Sequence, residues 1–308
     1  MDPDSKPRLA ILTGPTGAGK SELAIRAAAI LGGEIINADS LALYRGFDLG
    51  TAKPSPADRD AAPHHLLDIL NPDEDFDAAA YLKAARPLVE GLARAGRPAL
   101  AVGGTGFYLR ALTRGLFNGP GRDEAFRARL ARETAAGADL HARLAAVDPD
   151  SAARLAPADR MRLERALEVH HLTGRPISHW QREHGLRERP FETLTIVLDR
   201  PAAEMEARLE RRTRLMFERG LPAEVEGLLR AGWSPDLKPF GAIGYKETLE
   251  HLRGLISLEQ AEEKTGRATR RYAKRQRTWF RGQMPEARWL QPDQGEEILD
   301  LLRNFFDR

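Results

Sequence analysis

The chain has 308 residues, 42% of them hydrophobic and 30% charged, with a net charge of +2. That mix suits one large or two small domains with a sizeable core. The absence of cysteine excludes disulfides, thiolate metal sites and a cysteine nucleophile. No apolar run approaches the length that spans a bilayer, and the acidic, polar opening "MDPDSKPRLAILTG" lacks a signal-peptide pattern. A cytoplasmic monomer is expected.

In chain order, "RLAILTG", "EIINAD", "HHLLDIL" and "RPALAVGG" are short apolar runs ending near Gly, Asn or Asp. Helical patterns such as "KSELAIRAAAI" and "DAAAYLKAARPLVEGLARAG" lie between them. The alternation predicts βαβ units and a parallel sheet. "PDEDFD" at 72–77 is predicted to cap the second of these helices. A fifth strand is expected at "TLTIVLD" (193–199), then a helix with Asp199 as N-cap and Pro201 just inside it. Roughly 90 residues separate the fourth and fifth runs, far more than a crossover needs. With "DEAFRARLARETAA" and "DRMRLERALEVHHLTG", this stretch reads as an inserted helical subdomain at 115–189. The core domain is then 1–114 with 190–308, its C-terminal region helical.

The chemistry begins at "GPTGAGKS". Gly14 to Ser21 match G-x-x-x-x-G-K-[ST], after a strand pattern and before a helix pattern. Backbone N–H groups freed by Gly14, Gly17 and Gly19, with Thr16 and Ala18 between them, turn onto phosphate oxygens. The helix start adds positive dipole. Lys20 supplies a point charge, and the Ser21 hydroxyl a ligand for Mg²⁺. The motif recognises a polyphosphate without naming its owner; ATP is its usual occupant.

Other candidates gather at the same sheet edge, where ligands bind in doubly wound folds. Asp39 and Ser40 follow the second strand, and Gly103, Gly104 and Thr105 the fourth. Asp39 reads as a turn cap or as a carboxylate holding Mg²⁺ through water; Thr105 reads equally as a helix N-cap. Arg208, Arg212 and Arg219 share one helix face, where arginines either clamp a diphosphate or face solvent. The stretch 264–281, "KTGRATRRYAKRQRTWFR", carries eight Lys or Arg and no acid, which points to a polyanion. Its Arg267, Arg270, Arg271, Lys274, Arg277 and Arg281 form one stripe for phosphates, and Tyr272 with Trp279 a second stripe for the core. No His pair has zinc spacing.

Seven stretches together resemble the bacterial tRNA dimethylallyltransferases, or tRNA isopentenyltransferases. They are "GPTGAGKSELA", "INADSLALYRGFDLGTAKP", "HHLLDIL", "GGTGFYLRAL", "RMRLERALEVHHLTGRPIS", "AIGYKE" and "TRRYAKRQRTWFR". The resemblance implies a P-loop NTPase-like sheet whose loop holds dimethylallyl diphosphate rather than ATP. It implies transfer to the exocyclic amine of the adenosine 3′ of the anticodon, flipped out of its stack because a stacked base is blocked. By the same matching, Asp39 is the general base, Thr105 a reaction-centre residue that also meets tRNA, and Arg212 the group on the leaving diphosphate. Thr16 to Ser21 form the cradle. Asp39, Ser40, Leu41 and Ala42 match a tRNA-contacting segment. So do Met161, Arg162, Leu163, Glu164 and Arg165, with Arg127 nearby; Arg270, Arg271 and Lys274 are expected to meet tRNA phosphates.

The family commonly has "DSMQVY" where this chain has "DSLALY", and "QRLIR" where it has "MRLER". Ala42 and Met161 therefore lack an amide, and Glu164 adds a charge suited to a neighbouring Arg. The other readings are a small-molecule kinase using ATP, a prenyltransferase acting on free adenine nucleotides, and an RNA-binding module with a vestigial loop.

Overall fold

The computed structural model describes residues 6–117, 119–185 and 187–307. It divides into two compact units, Met1–Thr113 with Arg189–Arg308, and Arg114–Glu188.

The first unit begins with β1 (Arg8–Thr13), α1 (Lys20–Leu31), β2 (Glu34–Asn37), α2 (Pro56–Ala61) and β3 (His64–His65). α3 (Ala78–Arg94), β4 (Ala99–Gly103) and α4 (Gly106–Arg114) follow. The inserted helices are α5 (Glu124–Ala135), α6 (Leu140–Val147), α7 (Pro149–Ala152), α8 (Arg160–Thr173) and α9 (Ile177–His184). The chain returns with β5 (Glu192–Leu198), α10 (Ala202–Glu218), α11 (Leu221–Arg230), α12 (Tyr245–Leu252) and α13 (Leu258–Gln283), then β6 (Arg288–Leu290) and α14 (Gly295–Phe306).

All strands are parallel, in the order β3-β2-β4-β1-β5-β6. Both faces are covered, which is why the central strands β1 and β4 are nearly continuous apolar runs rather than alternating. Side chains still alternate between faces. Ala10, Leu12, Ile35, Leu100, Val102, Ile196 and Leu198 join the core formed with α1, α10 and α14. The intervening Leu9 and Ile11 are buried on the other face, and α3 packs on β1, β2 and β4. The chain leaves β1 toward β2 on one side and later returns as β5 on the other. That reversal opens a crevice at the carboxyl ends of β1 and β4.

One local expectation holds: Asp77 caps α3, accepting from the Ala79 and Ala80 N–H groups at 2.9 Å. Asp123 and Asp159, not singled out from the sequence, also cap α5 and α8. Two expectations do not hold. "HHLLDIL" pairs with β2 only through His64 and His65, because Leu66 and Asp68 take left-handed φ of 59° and 55° and turn the chain away; its last residue, Leu70, makes a single parallel bridge to Tyr44. Asp199 does not cap α10: that helix starts at Ala202, and the carboxylate accepts from Arg277 instead. β6 was not foreseen; a three-residue edge strand carries too few residues to show a period.

The inserted unit packs Phe126, Leu130, Leu140, Leu144, Leu163, Leu167 and Val169 into a core of its own. Asp148, buried, caps α7 and also accepts from the Ser178 N–H at 3.0 Å, which ties α7 to α9.

Candidate active site

Four strand ends build the site. β1 runs directly into the phosphate loop. Gly14 has φ 143°, and a Cβ there would lie 2.2 Å from the Leu198 carbonyl oxygen of β5, so only glycine fits. The loop's carbonyls are held from outside: the Arg200 Nε donates to Ala18 O at 3.2 Å and the Arg208 Nε to Gly17 O at 3.1 Å. With its carbonyls tied outward, α1 begins at Lys20 without a side-chain cap on Gly19. Its first N–H groups have no intrahelical acceptor and carry the positive end of the dipole.

The Lys20 ammonium folds back onto the Gly14 and Pro15 carbonyls at 3.0 and 2.9 Å. Burial, reinforced by the Arg212 guanidinium and opposed by Asp39, lowers its pKa to about 8. Arg212 is half-buried on α10, with one nitrogen 3.4 Å from Thr51 O. Burial lowers its pKa, and Asp39 opposes the shift. Two cations and one carboxylate thus sense one another around one cavity, of about 510 Å³, lined by all three and by Thr16 and Ser21.

Asp39 is placed by the turn after β2. The Asn37 side chain accepts from the Asp39 N–H at 3.0 Å and donates to Asp39 O at 3.0 Å. Asp39 Oδ1 accepts from the Leu41 N–H at 2.9 Å. Ser40, Leu41 and Ala42 also line the cavity. Thr105 is not among its lining residues; its hydroxyl accepts from the Ser40 N–H at 3.0 Å, and its own N–H donates to Ala38 O at 3.1 Å. It therefore clamps the Asp39 turn to the end of β4.

Tyr272 is a correction: it does not pack in the core but is 36% exposed and lines the cavity, with Arg275 stacked 5.6 Å from its ring centre. Burial of the hydroxyl, with Asp39 adding to it, raises its pKa to about 12. Arg277 is a second correction to the phosphate stripe, since it pairs with Asp199 at 2.5 Å and donates to Arg200 O at 2.9 Å. Arg270 lies 3.6 Å from Glu210, while Arg271 and Lys274 are exposed. Arg219 is exposed at the end of α10 and does not line the cavity.

In the inserted unit, Met161 is 76% exposed and Arg162 is exposed with Asp159 at 3.1 Å. Glu164 pairs with Arg160 at 2.5 Å. Leu163 is a correction: its side chain is 1% exposed and belongs to that unit's core, so it presents nothing to a partner. Arg127 donates twice to Glu168, at 2.7 and 2.8 Å, and Arg165 joins the same carboxylate at 2.6 Å. Glu168 is wholly buried. Burial acts to raise its pKa, but the hydrogen bonds from Arg127, the Asp123 N–H and Arg165 prevail and hold it at about 2.

Sequence reasoning missed three contributors. Lys53 lines the cavity while paired with Asp48 and Asp68 at 2.6 Å each. Arg275 was read only as one cation in a run. Gln276 was passed over, although it is the one uncharged amide amid that run.

A glycine-rich loop feeding an unobstructed helix N-terminus, at the switch point of a parallel sheet, defines a P-loop NTPase-like α/β enzyme. Within that class, the family model described as IPP transferase matches residues 42–283, and the chain belongs to that family. It is 49% identical over 282 residues to the tRNA dimethylallyltransferase of Syntrophobacter fumaroxidans, covering 91% of this chain and 82% of the relative. It is 47% identical over 306 residues to the tRNA dimethylallyltransferase of Geobacter sulfurreducens, covering 98% of each. The crystal structure of the tRNA isopentenylpyrophosphate transferase of Bacillus halodurans superposes with a TM-score of 0.73 at 34% identity, over 98% of this chain and 97% of that one. A eukaryotic dimethylallyltransferase, captured in crystallographic snapshots acting on tRNA, gives 0.74 at 29% identity over 89% of this chain and 69% of that one.

Proposed function

We infer that this chain is a tRNA dimethylallyltransferase. It transfers the dimethylallyl group of dimethylallyl diphosphate to the exocyclic amine of the adenosine 3′ of the anticodon, releasing diphosphate. The observation that carries this reading is a single cavity holding both an anion seat, at Lys20, Ser21 and Arg212, and a carboxylate, Asp39. The nitrogen attacks the first allylic carbon as the carbon–oxygen bond to diphosphate breaks. Lys20, Arg212 and the N–H groups at the start of α1 stabilise the charge that grows on the leaving group. The amine becomes acidic as it bonds to carbon, and Asp39 accepts its proton. Thr105 acts as a positioning residue, holding the turn that carries Asp39.

The donors present suit Mg²⁺. Ser21 offers a hard hydroxyl oxygen, and among the described residues no group of three His, Asp or Glu forms a cage. Mg²⁺ is commonly held by one or two protein oxygens with substrate phosphates and water. When bound, the ion would neutralise diphosphate charge; Ser21 would hold it.

For tRNA, support comes from exposed Arg271 and Lys274 on α13 and from exposed Met161 and Arg162 in the insertion. Arg127 and Arg165 act there through Glu168, shaping the insertion. Ser40, Leu41 and Ala42 wall the space for the flipped base, where Ala42 offers no amide. Such an enzyme works in the cytoplasm, beside its tRNA. Among the described residues no helix is long and apolar enough to cross a membrane.

Radiolabelled dimethylallyl diphosphate offered with tRNA, with AMP and with no acceptor tests the assignment. Label is expected in tRNA alone; label in AMP, or none in tRNA, overturns it.

A further inference from the structure

The stretches "FDLGTAKP" and "AIGYKE" lie far apart in the chain and meet at one carboxylate. Glu224, on α11, accepts from the Asp48 N–H at 3.2 Å on one oxygen and from the Leu49 N–H at 2.8 Å on the other. The Tyr245 hydroxyl, at the start of α12, donates to the first of these oxygens at 2.6 Å and accepts from the Gly50 N–H at 3.2 Å. Burial, with the Glu224 charge adding to it, holds the tyrosine pKa well above its ordinary value, so the hydroxyl keeps the proton it donates. Three successive N–H groups thus turn onto one carboxylate and its phenol partner, as they would onto a bound anion. The fit is close. A Cβ on Gly50 would lie 2.2 Å from the Tyr245 ring, so glycine is needed there. Phe47 packs with its ring centre 4.7 Å from that of Tyr245.

The consequence reaches Arg212. The carbonyl that follows, Thr51 O, is the one acceptor its guanidinium bonds among the described residues, at 3.4 Å, so most of its N–H donors remain for an anion. Gly50, Thr51 and Ala52 line the cavity, whereas Glu224 and Tyr245 do not. Ala52 takes a left-handed φ of 52°. Such a strained turn persists only where its surroundings over-determine it. Glu224 and Tyr245 hold it on one side, and Lys53, paired with Asp48 and Asp68, on the other. The phosphate loop is braced separately, by Gln276 of α13 between the Thr16 N–H and the Gly104 carbonyl at 2.9 and 2.8 Å. An arginine that stabilises charge growing on a leaving group must already point at it, because reorientation during the step costs what the contact supplies. We propose that Glu224 and Tyr245 are positioning residues for Arg212, acting through the turn from Asp48 to Thr51. The proposal rests on the diphosphate reading above and adds the residues that aim its arginine.

A double-mutant cycle on the full chain tests it, read as the single-turnover rate of transfer from dimethylallyl diphosphate to tRNA with both saturating. Tyr245→Phe keeps the ring packed on Phe47 and removes the hydroxyl. The rate should fall about tenfold, roughly what one hydrogen bond to a charged group contributes. In an Arg212→Ala background the same change should cost less than about twofold, because the group it aims is gone. Glu224→Gln keeps the size but sets an amide NH₂ against a loop N–H, and should show the same dependence on Arg212 through an independent change. Calorimetry with inorganic pyrophosphate, the leaving group itself, should give the same coupling without tRNA. Equal losses with and without Arg212 mean that the pair only supports the fold, and overturn the proposal. Normal rates in both Tyr245→Phe and Glu224→Gln also overturn it. A normal rate in Arg212→Ala removes the leaving-group role of that arginine and this proposal with it; a slow Arg212→Ala with additive losses removes this proposal alone.

Discussion

In the sheet unit, Lys20 is held by two neutral carbonyls and Arg212 by one, and the Asp39 carboxylate accepts from the backbone N–H of Leu41. In the inserted unit, Arg127 and Arg165 close on the buried Glu168, and Asp148 takes hydrogen bonds from two helices. Both regions bury charge, to opposite ends. A charge fixed by dipoles is oriented but not neutralised, so its field still reaches a ligand. A charge fixed by its opposite is neutralised, and its energy goes into holding helices together. The first arrangement suits a site, and the second a scaffold.

The sharpest way to break this contrast is at Asp39. Asp39→Asn keeps the shape and an acceptor for the Leu41 N–H but loses the base. Single-turnover transfer with both substrates saturating should slow by about 10²–10⁴, with both dissociation constants nearly unchanged. A normal rate would remove the general-base role; weakened, Mg²⁺-dependent diphosphate binding would point to a metal ligand instead.

Glu168 tests the other side. Glu168→Ala leaves two guanidinium groups facing each other and should destabilise the inserted unit by about 3 kcal/mol, read by hydrogen exchange of α8 amides. Pyrophosphate binding should hold. The pH dependence has a definite sign: the Glu168 pKa is depressed from 4.5 to about 2. Its stabilisation is thus complete above the unfolded value and is lost as pH falls from about 4.5 toward 2. Equal protection of the α8 amides, relative to their intrinsic exchange rates, at pH 6 and pH 3 would contradict it.

Lys20→Ala should weaken pyrophosphate binding by about 10- to 100-fold while tRNA binding persists. In the unaltered chain the ammonium, at about 8, must be protonated to meet the anion. Affinity should therefore fall as pH rises beyond that value, by up to about tenfold per pH unit. A flat profile would place the lysine outside the anion seat.

The smallest effect is expected from the exposed helix. Neutralising Arg270, Arg271 and Lys274 should flatten the salt dependence of tRNA binding by roughly 0.7–0.9 in slope per lost contact. Arg270 should contribute least, because Glu210 lies 3.6 Å away. An unchanged slope would show that these cations face no phosphate.

Much of this protein is determined by its sequence alone. The phosphate loop is a local object: glycine spacing, a lysine and a hydroxyl must be consecutive, so the motif is legible without a fold. The parallel sheet is legible because its central strands are buried on both faces and read as short, mostly apolar runs. The helix cap at Asp77 reaches only two or three residues and shows in the same way. Resemblance supplied the role of Asp39, which in isolation is only a turn cap.

What the sequence left open depends on neighbours distant in the chain. Arg277 and Lys274 look alike in a basic run, yet one meets Asp199, 78 residues away, and the other solvent. Leu163 and Met161 are two residues apart on one helix, and only packing decides that one is core and the other surface. Thr105 and Gln276 gain their partners solely because the ends of β1, β2 and β4 meet beneath α13. A hydrogen bond across such a separation leaves no period or spacing in the sequence, so only the tertiary structure could assign it.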